Sequence, residues 1–144
     1  MRHKSSFGIH DANDFLNNMV LPQYQEFLKK NSSSRAALLT FMLVYHMYEW
    51  VHCCAFSQEH FLETYPTDKH MCVFFETARR ICNGTKHFAQ RADTTVQSGF
   101  SSGFSDGFAR PLNVTLAGNR QESADRLLHE LVQFWERQKQ VGAF

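Results

Sequence analysis

From Arg35 to Ala55 the sequence holds neither proline nor glycine, and its apolar residues fall on nearly every helical face. A helix with no polar face has to be covered on all sides. This stretch is therefore expected to be the central, most buried helix, with Leu39 and Leu43 among its covered side chains. The apolar-rich run from Ala36 to Phe56 is interrupted by His46, Glu49 and His52. Those breaks favour a buried helix over a membrane span.

The other elements are read outward from that helix. The chain has 144 residues, 43% of them hydrophobic, which suits one globular domain with a real core. Fourteen Phe, four Tyr and two Trp make the core aromatic. Residues 1–9 are basic and polar and read as a loose tail ahead of a domain spanning 10–144. His10 to Lys30 has helical spacing, with Asp11 or Asn13 as cap, and Pro22 should kink or split it near Val20 and Leu21. Asn31-Ser32-Ser33-Ser34 reads as a turn and the cap of the central helix. Phe56 to Tyr65 reads as a short amphipathic helix stopped by Pro66. Thr67 or Asp68 then caps a helix through Met71, Phe74 and Ala78.

From about 89 to 120 the composition changes to Ser, Thr, Gly and Asn. Thr94-Thr95-Val96 and Leu112 to Leu116 read as two strands, the second with one buried face, and Ala117-Gly118-Asn119 as a turn. Between them the repeat Gly99-Phe100-Ser101-Ser102-Gly103-Phe104-Ser105-Asp106-Gly107-Phe108 is expected to be a compact loop with its Phe side chains tucked into the core, the alternatives being a disordered, sticky segment and a ligand-contacting loop. A last helix runs from about Glu122 to about Val141, with Gln121 or Ser123 at its start. The fold class is thus mostly α, a four-helix bundle with a small two-stranded β insert before the last helix.

Charge and cysteine usage narrow the classes. The formal net charge of +1 argues against a broad electrostatic footprint for duplex nucleic acid, while leaving room for a local basic patch. Cys53, Cys54, Cys72 and Cys82 form no CxxC pair and lie in apolar helical contexts, so they read as reduced, buried thiols of a cytoplasmic protein. Residues 1–20 lack a continuous apolar core, so neither a signal peptide nor a membrane partner is expected.

The local basic patch is Arg79-Arg80-Ile81-Cys82-Asn83-Gly84-Thr85-Lys86-His87-Phe88. Arg80, Asn83 and His87 share one helical face if the helix continues, although Gly84 opposes it. In one reading the stripe is a catalytic site. His87 acts as general acid or base, Arg80 holds a phosphate, Asn83 and Glu49 complete the centre, and Arg79 and Lys86 bind substrate. In the other reading the basic residues answer the dipole of their own helix end. Glu49, on an otherwise apolar helix, needs a partner and is expected to lie within reach of Arg79, Arg80 or His87. A His46 and Glu49 pair joined by His87 is a possible zinc or iron set, but no Cys/His spacing matches a closed structural site, so no cofactor is expected.

Arg80, six intervening residues and His87 resemble the R-x(4–6)-H signature of HEPN-type helical bundles. Many of these are metal-independent RNases that act as dimers on a 2′-hydroxyl nucleophile. The resemblance implies RNA as partner and a symmetric homodimer with a shared site. The sequence departs from it where Ile81, not an asparagine, follows the arginine. Tyr45-His46-Met47-Tyr48-Glu49-Trp50, the segment Cys82 to Phe88, the Gly-Phe-Ser repeat and Phe134-Trp135-Glu136 together look like a group of small bacterial and phage proteins. That second likeness supports the architecture and implies no activity. The expected function is an endoribonuclease or RNA-binding module. The alternatives are a protein-interaction module without enzymatic activity and a metal-binding helical protein.

Overall fold

The computed structural model describes residues 6–86, 94–96, 112–116 and 119–144. Helix α1 (Ala12–Phe15) passes through a π-helical turn (Leu16–Val20) into α2 (Leu21–Lys29). Asp11 caps the start, its Oδ1 accepting the Asp14 N–H at 2.8 Å. Pro22 supplies no N–H, and its ring crowds the carbonyl four residues back. The widened turn takes this up: the Leu21 N–H donates to Leu16, five residues back. The proline thus reshapes the helix without breaking it.

Ser33 caps α3 (Ser34–His52), accepting the Ala36 N–H at 3.1 Å. After a short irregular link, Ser57 caps α4 (Gln58–Thr64) in the same way. A single 3-10 turn (Lys69–Met71) leads into α5 (Cys72–Lys86), which passes through Gly84 unbroken. Strands β1 (Thr94–Val96), β2 (Leu112–Thr115) and β3 (Gln121–Ser123) form an antiparallel sheet with β2 in the middle. Ser123 ends β3 and caps α6 (Ala124–Gln140). Among the described residues the sheet therefore has three strands, where the sequence alone suggests two. Gln121 to Ser123 carries no apolar alternation to mark it, and it becomes a strand by pairing Val114 with Glu122.

Residues 1–5, the repeat at 99–108, and Ala117 and Gly118 lie outside the described residues. The Leu116 N–H bonds the Arg120 carbonyl at 2.7 Å, and Asn119 takes a left-handed conformation (φ 62°) at the expected turn.

The core collects Phe27, Phe41, Val44, Met47 and Tyr48 from the N-terminal half. From the C-terminal half come Phe75, Leu112, Val114, Leu127, Leu131, Phe134 and Trp135. Two readings of burial are corrected. Helix α3 buries one face only, through Ala37, Thr40, Phe41, Val44, Met47 and Tyr48, while Leu39 is 42% exposed. Trp50 is partly exposed as well, stacked on Phe15 with ring centroids 5.2 Å apart. Cys53 is exposed at the end of α3, where its positive φ of 57° turns the chain out of the helix. Helix α6 is the more deeply set element. Leu127, Leu128, Leu131, Phe134 and Trp135 are all fully buried, and the Trp135 indole N–H donates to the Val44 carbonyl at 3.1 Å.

This reverses the expected ranking of single substitutions. Leu131→Ala is expected to cost about 2–5 kcal/mol through the cavity it leaves. Leu39→Ala should stay within about 0.5 kcal/mol. Urea denaturation of the two variants measures both, and a larger loss for Leu39→Ala would contradict the placement of α3.

Candidate functional site

The basic residues at the end of α5 share one solvent-facing stripe. At 100° per residue, Glu76, Arg79, Arg80, Asn83 and Lys86 fall within roughly 120° of arc. The opposite face buries Phe74, Phe75, Ala78, Ile81 and Cys82. The two arginines meet one carboxylate, that of Glu76, whose side chain is only 13% exposed. Arg79 binds it in bidentate fashion, Nε to Oε2 at 2.9 Å and Nη2 to Oε1 at 2.7 Å. Arg80 approaches only by Nε, at 3.5 Å, and is 56% exposed. The Arg79 hydrogen bonds are the main cause holding the Glu76 carboxyl below its ordinary range, against the opposing effect of burial.

The expected partnership of Glu49 with Arg79 or Arg80 is thereby corrected. Glu49 is exposed, and both arginines turn to Glu76, three and four residues back on their own helix. That i, i+3 and i, i+4 spacing was visible in the sequence. Glu49 needs no such partner, because water reaches its carboxylate. Asn83 is half-buried and Lys86 exposed. His87 lies outside the described residues.

His46 and Glu49 instead face an open cleft of about 690 Å³, with His10 and Asp11 on its rim and the stacked Phe15 and Trp50 along its wall. Among the described residues, no three His, Cys, Asp or Glu side chains are grouped to hold a metal ion.

His52, which interrupts the same apolar run as His46 and Glu49, points elsewhere. It belongs to a polar centre set inside the aromatic core, which the sequence reading missed. His52 Nε2 and the Tyr65 hydroxyl are 2.7 Å apart. His60, on α4, joins the Tyr48 hydroxyl through Nδ1, and its Nε2 is 3.7 Å from Cys54 Sγ. The two imidazoles meet edge to face with centroids 5.3 Å apart. Phe56, Phe75 and Trp135 pack around Tyr48. Burial is the first cause raising the Tyr48 phenol, with Tyr65 and Cys54 adding to it. Burial likewise pushes the Tyr65 phenol up to about 12. His52 is held below the ordinary histidine range, first by burial and then by His60. The available signal was the pair Tyr48 and His52, one helical turn apart on α3, answered by His60 and Tyr65 across α4.

Family models, curated proteins and solved structures were all compared with this chain, and none matches. Among the described residues no helix is long and apolar enough to cross a membrane.

The depressed His52 gives a pH dependence with a definite sign. The unfolded chain takes up this proton near its ordinary value of about 6.5, and the folded chain only at lower pH. Between those values the unfolded state binds more protons, so stability falls as the pH drops below about 6.5. Urea denaturation at pH 7 and pH 5.5 should show the loss, and His52→Gln should reduce the difference. An identical difference in that variant would assign the effect to other groups.

Proposed function

We propose that the solvent-facing end of α5 binds RNA through its phosphates. With His87 it forms the metal-independent endoribonuclease site that the HEPN resemblance implies. The supporting observation is the unequal use of Glu76. Arg79 closes two N–H groups on that carboxylate and is committed to it. Arg80 makes one long contact and remains exposed, which leaves most of its donors for an incoming phosphate. Asn83 follows on the same face, and the unbroken helix through Gly84 carries the stripe on to Lys86.

In this reading Arg80 binds the scissile phosphate and offsets the charge that builds on it. Asn83 donates to a neighbouring oxygen, and Lys86 engages the next phosphate. His87 acts as general acid or base toward a 2′-hydroxyl nucleophile, which restricts the substrate to RNA. Glu76 stiffens the site by fixing Arg79, and Glu49 has no part in it. Pairing of two such stripes across a two-fold axis gives the homodimer of the same resemblance.

Arg80→Ala should weaken binding of single-stranded RNA and flatten the log–log salt dependence by roughly one unit, the share of one phosphate contact. His87→Ala should abolish cleavage and leave binding largely intact. Fluorescence anisotropy and a gel assay of the same RNA read the two effects separately. Wild-type protein that binds RNA no better than Arg80→Ala contradicts the proposal and favours a protein-interaction module.

A further inference from the structure

The polar centre inside the aromatic core holds a second constellation, independent of the α5 stripe. Cys54 lies in the irregular link between α3 and α4, neither fully buried nor fully exposed. Its sulfur is 3.7 Å from His60 Nε2, and the other ring nitrogen of His60 is bonded to the Tyr48 hydroxyl. A thiol, a base within reach of it, and a third group orienting that base are the parts of an activated nucleophile.

Hydrogen-bond direction decides whether His60 serves as the base. The ring tautomer sets that direction. With the His60 proton on Nδ1, that N–H donates to the Tyr48 oxygen and a bare Nε2 faces the thiol. The chain then runs one way, from the Cys54 thiol to His60 and from His60 to Tyr48.

We propose that Cys54, with His60 as base and Tyr48 as positioning residue, is a nucleophilic thiol that exchanges with low-molecular-weight disulfides. The Cys54 S–H proton passes to His60 Nε2, and the thiolate attacks one sulfur of the disulfide. The S–S bond of the incoming molecule breaks as the Cys54–sulfur bond forms. The departing thiolate takes the proton back from His60 Nε2, giving a mixed disulfide on Cys54 and one free small thiol. The titratable groups packed about the pair are Tyr48 and His52 on α3, Tyr65 after α4, and Cys72 at the start of α5. Cys53 is an internal comparison, because it is the more exposed of the two thiols and has no imidazole bonded to its sulfur among the described residues.

The test is the reaction of full-length protein with 5,5′-dithiobis(2-nitrobenzoic acid) and with glutathione disulfide, with each modified cysteine located by mass spectrometry. Cys54 should react at least about tenfold faster than Cys53 at pH 7 despite being less exposed. Cys53→Ser should keep the fast phase and Cys54→Ser should lose it. His60→Gln should slow Cys54 and leave Cys53 unchanged. The wild-type comparison of the two cysteines needs no variant to fold. Equal rates for the two cysteines, or a Cys54 rate unchanged in folded His60→Gln, overturn the proposal.

Discussion

Tyr48 sits where three demands meet. Its ring is fully buried among Phe56, Phe75 and Trp135, and its hydroxyl still has to find a partner in that apolar setting. The partner is His60, which brings α4 against the end of α3. His52, one turn further along α3, is answered by Tyr65 at the other end of α4. A seven-residue helix that would be marginal alone is thus pinned at both ends by part-buried hydrogen bonds. Trp135 closes the same cluster from α6 and ties its indole N–H to the Val44 carbonyl of α3. The aromatic richness of the chain is therefore used for specificity as well as volume, since the phenols of Tyr48 and Tyr65, the imidazoles of His52 and His60 and the indole of Trp135 each fix a neighbour.

Much of this fold could be read from residue order. Serines and an aspartate before apolar runs marked the helix starts, and the side-chain caps of Asp11, Ser33 and Ser123 are all made. The alternation of Leu112, Val114 and Leu116 gave a strand with one covered face. Burial on α3 could not be read in this way. Apolar residues all around a helix state what it can bury, and the number of neighbours decides what it does bury. With α5 and α6 covering one side, Leu39 and Trp50 stay at the surface. The third strand was hidden for a related reason, because Gln121 to Ser123 takes its conformation from its partner strand.

The functional residues divide along the same line. The α5 stripe was legible because helical spacing alone puts Arg80 and Asn83 on one face. Its electrostatic partner was misassigned, since a local Glu76 at helical spacing prevails over a distant Glu49 that solvent can satisfy. The centre of Tyr48, His52, Cys54, His60 and Tyr65 joins a helix end, a link and the next helix. No periodicity covers all three, and its members lie close in space only because Phe61 and Phe75 pack beneath them. Glu76 and His60 play comparable parts in the two places: each holds a neighbour in position, Arg79 in one case and the Cys54–Tyr48 chain in the other.

The direction of the Cys54–His60–Tyr48 hydrogen-bond chain sets both how Tyr48 is satisfied and what His60 presents to Cys54. Nitrogen-15 NMR of histidine-labelled protein at pH 7 reads that direction from the ring nitrogens. The expected spectrum places the His60 ring proton on Nδ1 and leaves Nε2 bare, beside a neutral His52. A His60 proton on Nε2 would mean that Tyr48 donates to the ring and that a donor faces the sulfur, which would contradict the chain described here.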